Sequence, residues 1–171
     1  MAELSYIIKT KYKDTLNTLK NTSYDKDNKT YLCQSDKEVV DFDALTLKLY
    51  PQKQPSSYDA LLIEEGDKEV FYIEFKNQKK SDIKNQNLHK KVKDSDTTIK
   101  KLCLENSVAK SSYTYKLCIV YKKDVIYEYR RFKERIIHFD LEQFKGKYVD
   151  EIITNDIEFF QKEFQKKYGC R

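Results

Sequence analysis

Asp59, Glu74 and Lys76 are the residues whose types and spacing could do chemistry, and all three lie in one stretch, SYDALLIEEGDKEVFYIEFKNQ, from Ser57 to Gln78. Gly66-Asp67 separates two runs rich in β-branched and aromatic residues. A leading glycine suits the first central position of a type II′ turn, so the stretch reads as a β-hairpin. With a turn symmetric about that dipeptide, Ile63 faces Val70, Leu61 faces Tyr72 and Asp59 faces Glu74. Side chains alternate between faces with period 2. Asp59, Leu61 and Ile63 therefore share a face with Val70, Tyr72, Glu74 and Lys76, while Phe71, Ile73 and Phe75 point the other way. Facing carboxylates have Cβ atoms about 5 Å apart and repel unless something positive lies between them. A divalent cation is one such partner, because Mg²⁺ is a hard ion that prefers oxygen ligands. A turn two residues longer on its C-terminal side would put Asp59 opposite Lys76 instead, as an ordinary salt bridge, with all three groups still on one face.

The elements around the hairpin must position these groups. Ser35-Asp36-Lys37-Glu38 matches a capping box, and Val39, Phe42 and Leu45 follow at helical spacing, which predicts a helix over 36–44. Leu45, Leu47 and Leu49 alternate with Thr46, Lys48 and Tyr50 as a strand over 45–50, although Phe42, Leu45 and Leu49 also suit a longer helix. Pro51 and Pro55 end either element. Beyond the hairpin, Ser81 is placed to cap a helix over 82–105 whose Ile83, Leu88, Val92, Ile99 and Leu102 fall near one face. The run YKLCIVY, Tyr115 to Tyr121, reads as a buried strand, with shorter strands over Val125 to Tyr129 and Ile136 to Phe139. Ile157, Phe160, Phe164 and Tyr168 make the apolar stripe of a last helix, capped by Thr154 or Asn155 and stopped by Gly169. That stripe closes one side of the core or docks on a second copy in a homodimer. At the start of the chain, Ser5 to Leu19 reads as a short amphipathic helix followed by an exposed loop.

Composition bounds the rest. A chain of 171 residues with 39% hydrophobic residues supplies one core and excludes a disordered chain. The formal net charge of +5 is compatible with a polyanion partner. Cys33, Cys103, Cys118 and Cys170 are far apart and form no C-x-x-C pair, which points to reduced structural thiols rather than zinc or disulfides. His89 has no partner at ligand spacing and reads as a surface residue. No run approaches the length of a membrane span and no secretory leader is visible, so a cytoplasmic location is the expectation.

Asp59, then Glu74-Phe75-Lys76 on the next strand, resembles the D…(D/E)-x-K signature of the PD-(D/E)xK, or restriction-endonuclease-like, nuclease superfamily. The predicted order of helix 36–44, strand 45–50, strand 58–65, strand 69–77, helix 82–105 and strand 115–121 is similar to the αβββαβ core of that family, and covers about half the chain. The resemblance implies an α/β fold with a mixed sheet in a single domain, 1–171, with its core over 35–121 and a C-terminal extension over 122–171. It implies phosphodiester hydrolysis of nucleic acid, DNA before RNA. Mg²⁺ or Mn²⁺ would be held by Asp59, Glu74 and the backbone carbonyl of Phe75. Glu38, the capping-box acid, is the best-placed candidate for the assisting acid of the first core helix, ahead of Asp41 and Asp43. Lys76 would orient the attacking water or stabilise developing charge, and Gln78, on the same strand face, would position the nucleophile. Lys79, Lys80, Lys84 and Lys91 at the start of the long helix, with Arg130 and Arg131, would contact phosphates. The chain departs from the pattern at Tyr58, where the name motif has proline, and lacks the Gln-x-x-x-Tyr pattern and iron–sulfur cysteines of some branches. The alternative reading is a non-catalytic module of the same fold that binds nucleic acid or a protein partner.

Overall fold

β-branched and aromatic residues at alternating positions build a six-stranded sheet in the computed structural model, which describes residues 2–123 and 136–168. Its strands are β1 (Leu16–Thr18), β4 (Glu38–Asp41), β5 (Ala60–Glu64), β6 (Glu69–Lys76), β7 (Thr114–Tyr121) and β8 (Glu151–Asp156), side by side in that order. A separate small hairpin joins β2 (Tyr24–Asp25) to β3 (Thr30–Tyr31). β1, β4, β5 and β6 pair antiparallel, whereas β6, β7 and β8 pair parallel. The five helices among the described residues are α1 (Leu4–Lys11), α2 (Leu19–Thr22), α3 (Phe42–Leu49), α4 (Asn85–Glu105) and α5 (Ile157–Tyr168).

The sheet is covered on both faces. On one, Leu61, Val70, Tyr72 and Leu117 pack with Ile7 and Ile8 of α1, Phe42 and Leu45 of α3, and Leu88, Val92, Ile99 and Leu102 of α4. On the other, Ala60, Leu62, Phe71, Ile73 and Phe75 pack with Leu19 of α2 and with Phe160 and Phe164 of α5. The Phe71 and Phe75 rings meet Phe164 and Phe160 edge-on, at centroid separations of 5.3 and 5.9 Å. Such aromatic pairs add to the stabilisation from buried area.

The hairpin has the expected register but a different turn. Leu61 faces Tyr72 and Ile63 faces Val70, so the longer turn that would set Asp59 against Lys76 is ruled out. Glu64 and Glu69 are the last pair, leaving a four-residue loop over 65–68 rather than a two-residue type II′ turn. Its positive φ, 54°, falls at Lys68 and not at Gly66. The Lys68 ammonium bonds the Glu65 carboxylate and also pairs with Glu3 at 3.3 Å, which ties the turn to the chain start. Both loops share one centre between residues 66 and 67, and for that reason the register is unchanged.

The segment before the hairpin inverts the predicted order. Residues 38–41 are a strand and 42–49 a helix, where a helix over 36–44 and a strand over 45–50 were predicted. Val39 and Val40 are buried on opposite faces of the sheet, an environment that only a strand supplies to consecutive β-branched residues. The helix is capped by Asp41, whose carboxylate accepts the Ala44 N–H at 3.0 Å, and not by Ser35, whose hydroxyl accepts the Lys37 N–H. Phe42, Leu45 and Leu49 form its buried stripe.

Four further elements differ. The first helix stops at Lys11, and residues 16–18 pair as β1 instead of extending it. Ser81 lies in a short 3-10 turn, Lys80–Asp82, and α4 begins after Lys84 with no side-chain cap. Ile136 to Phe139 form no strand; their role is taken by β8, where Thr154 and Asn155 are buried in the sheet. The Asp156 carboxylate accepts the Phe159 N–H at 3.0 Å and so caps α5 in place of Thr154 or Asn155. The strand expected over Val125 to Tyr129, and Arg130, Arg131, Gly169 and Cys170, lie outside the described residues. No helix among the described residues is long and apolar enough to cross a membrane.

Candidate functional site

Because the hairpin register sums to a constant, Asp59 comes level with Glu74, one residue before β5 begins. The sheet leaves a backbone amide unpaired there, and the Asp59 carboxylate takes it, accepting the Phe75 N–H at 2.6 Å. The carbonyl of Lys76 accepts from Lys122 on the β7 side. Successive residues of a strand aim their backbone groups at opposite neighbours, so the Phe75 carbonyl is directed to the Asp59 edge.

Glu74 is the best-shielded charge of the group, 1% exposed. It is held by two lysines. The Lys76 ammonium lies 2.7 Å from Oε1, and the Lys91 ammonium, reaching across from α4, lies 2.8 Å from both Oε1 and Oε2. A carboxylate so buried is stable as an anion only when paired and hydrogen-bonded, and the two ammoniums meet that need. Lys91 sits between Leu88 and Val92, at the border of the buried stripe of α4, and that rotation of the helix aims its stem at β6.

Asp59 has no comparable partner. Burial, then the charge of Glu74, push its carboxyl well above the usual carboxylate range, against the opposing pull of Lys91, the Phe75 N–H and Lys76. Burial works against the charge of Lys91 too, but Glu74 and Asp59 outweigh it and hold the ammonium above its ordinary value. Tyr58 is fully buried against Tyr72, ring centroids 5.8 Å apart, and burial followed by the Glu74 charge pushes its phenol upward. At the rim, the Ser57 hydroxyl bonds the carboxylate of Asp43, in the first turn of α3. Asp43 also acts on Lys91 through its charge.

The predicted residues divide into those brought together and those left apart. Asp59, Glu74, Lys76 and the Phe75 backbone converge, and Lys91 joins them as a partner of Glu74. Glu38 does not: it is exposed on β4, opposite Thr18 of the edge strand β1, while Asp43, also exposed, acts on Lys91 only through its charge. Gln78 is not on the strand face, because β6 ends at Lys76; it is exposed, and its carbonyl accepts the Lys122 N–H at 3.1 Å. Lys79 and Lys84 are exposed and Lys80 half-buried at the approach to α4. His89 is not a surface residue: it is half-buried, bonded to the Phe139 carbonyl at 2.8 Å and set edge-on to Phe144. Cys33, Cys103 and Cys118 are buried thiols outside any disulfide, and burial pushes Cys118 up to about 12, which keeps it un-ionised.

The oxygens at this edge are hard donors: two carboxylates and a backbone carbonyl. That set suits Mg²⁺ or Mn²⁺, which take one or two carboxylates and complete their shells with water and substrate oxygens. No group of three or more His, Cys, Asp or Glu is gathered as a metal cluster among the described residues. Sequence spacing did not reveal that Lys91 belongs to Glu74; its place between Leu88 and Val92 in the apolar stripe was the available signal. The fold is thus an α/β domain built on a mixed six-stranded sheet. Comparison with family models, with curated proteins and with solved structures finds no match to this chain.

Proposed function

We propose that the protein is a metal-dependent nuclease of the restriction-endonuclease-like kind, hydrolysing phosphodiester bonds of nucleic acid, DNA before RNA. The observation that carries this reading is the Asp59 carboxylate, kept beside Glu74 at a cost in charge repulsion and fastened to the amide of Phe75, with Lys76 next to it. A neutral acceptor would satisfy the Phe75 N–H equally well, and Glu74 is already paired by two lysines, so the fold has no structural need for the second charge. The antiparallel strands β4, β5 and β6, with α3 between the first two, followed by α4 and the parallel strand β7, support the reading.

Asp59, Glu74 and the Phe75 carbonyl would hold the ion, which when bound polarises the scissile phosphate and acidifies a water. Lys76, anchored on Glu74 at 2.7 Å, presents a compact positive charge where negative charge develops. Lys79 and Lys84 offer exposed cations along the approach.

The test is cleavage of single-stranded, duplex and branched DNA and RNA by the purified chain in Mg²⁺ or Mn²⁺ and in EDTA. Metal-dependent cleavage that falls at least about 100-fold in Lys76→Ala supports the assignment. Activity unchanged by that substitution would refute the site, and binding without turnover across the panel would favour the non-catalytic module.

A further inference from the structure

Glu74 carries one ammonium more than its single charge requires. Lys76 comes from the same strand and rests on Oε1, while Lys91 comes from α4 and spans both oxygens at 2.8 Å. A carboxylate offers about four lone-pair sites, and these contacts take three of them. A divalent ion entering the inner shell of Glu74 needs the same oxygens, and a dipositive ion beside an ammonium in a water-poor site is strongly repelled. Lys76 rests on Oε1 alone, whereas Lys91 spans both oxygens and is the ammonium on Oε2, so an ion that takes Oε2 and Lys91 are alternatives at Glu74.

Lys91 is suited to leaving. Its side chain is 21% exposed, and its ammonium ends a flexible four-carbon stem, so it can turn outward without moving α4. The acid that holds it in its present position is Glu74, through both oxygens, with Asp59 and Asp43 adding to the attraction through their charge. When an ion takes over Glu74 and Asp59, that attraction is cancelled. The nearest new anion is then a phosphate on the ion.

We propose that Lys91 is a resident counterion of the metal centre, holding Glu74 in the absence of metal and yielding it to a divalent ion as its ammonium moves onto the phosphodiester. The centre thereby binds metal weakly alone and tightly with nucleic acid, because two ligands that share one displaced group are linked reciprocally. This inference rests on the nuclease reading and assigns Lys91 a positioning role within it.

Mn²⁺ binding to the full chain is measured by calorimetry for wild type, Lys91→Met, Lys91→Arg and Glu74→Gln, with and without a phosphorothioate DNA oligonucleotide. Lys91→Met keeps the apolar stem and leaves Lys76 on Glu74, and Lys91→Arg keeps the charge; melting curves verify that both fold. The expected result without DNA is Mn²⁺ bound about 10-fold more tightly by Lys91→Met than by wild type. Lys91→Arg stays near wild type, Glu74→Gln binds none, and the oligonucleotide raises Mn²⁺ affinity more in wild type than in Lys91→Met. Equal or weaker Mn²⁺ binding by Lys91→Met, with metal-dependent cleavage intact in wild type, overturns the counterion role and leaves the nuclease reading standing. Absence of Mn²⁺ binding in wild type under both conditions overturns both.

Discussion

Two ion clusters occupy opposite faces and opposite ends of the parallel strands β6 and β7. Toward the start of both strands, Lys116, 9% exposed, lies between Glu69 at 2.6 Å and Glu151 at 3.3 Å, its ammonium 5.7 Å from the centre of the Phe71 ring. Toward their ends, Glu74 lies between Lys76 and Lys91. The first cluster is one cation shared by two acids and the second is one acid shared by two cations, so by pair counting they look like mirror images. They differ in what stands beside them. The acids around Lys116 project from the strands on either side of it, and burial of Lys116 is outweighed by their attraction, which holds the ammonium above its ordinary value. Beside Glu74 stands Asp59, whose carboxyl burial, then the charge of Glu74, push well above its ordinary value despite Lys91 and Lys76. The proposed function rests on that difference: strained acids in such a setting are candidates for functional groups, whereas the Lys116 cluster carries no such strain on its lysine.

Substituting Lys116 breaks this comparison most directly. Lys116→Met leaves two glutamates facing an apolar side chain, and since Glu151 is half exposed the loss in stability should be about 2–3 kcal/mol, below the cost of a fully buried broken pair. Urea unfolding measures it. Cleavage per folded molecule should be unchanged, and a loss matching that of Lys76→Ala would erase the distinction between a structural and a functional cluster.

Asp59→Asn should act in the opposite sense on stability. Burial first and Glu74 second raise the Asp59 carboxyl, so the folded state retains a proton that the unfolded chain releases above its ordinary value of about 3.9. Folded protein then binds more protons than unfolded protein, and the contribution of Asp59 to stability falls as pH rises from that value toward the raised one. An asparagine oxygen still accepts the Phe75 N–H but carries no charge. The variant should gain on the order of 1 kcal/mol at neutral pH and nothing near pH 3, while losing metal-dependent activity. Equal stability of variant and wild type at pH 7 would mean that Asp59 is at ease in the folded protein.

The smallest effect concerns the loop that sets the register. A Cβ added at Gly66 meets nothing within 4 Å, and the positive φ of the loop belongs to Lys68. Gly66→Ala should therefore change stability by less than about 0.5 kcal/mol and leave cleavage intact, as a melting curve and a cleavage assay would show. A loss of 1 kcal/mol or more would point to a strained turn at Gly66 after all.

The hairpin was legible because strand pairing and side-chain alternation are local. Any loop centred between residues 66 and 67 sets Leu61 against Tyr72, so misjudging the turn type cost nothing in register. The segment over 36–50 was not legible for the opposite reason. Ser35 and Glu38 match a capping box as well as Asp41 caps the actual helix, and the choice fell to Val39 and Val40, which can be buried together only where the sheet has cover on both faces. β8 escaped notice because Thr154 and Asn155, buried within it, are residue types that also cap helices.

The chain's own order of residues determined that Asp59, Glu74 and Lys76 share one face of two adjacent strands, since a period of 2 and a symmetric loop suffice for that. Only the tertiary structure decided that Lys91 joins Glu74 and that Asp43, rather than Glu38, acts on that lysine through its charge. Lys91 lies 17 residues from Glu74 on another element, and which way a helix turns its side chains is set by what its apolar stripe packs against, here Leu88 and Val92 seated on the sheet.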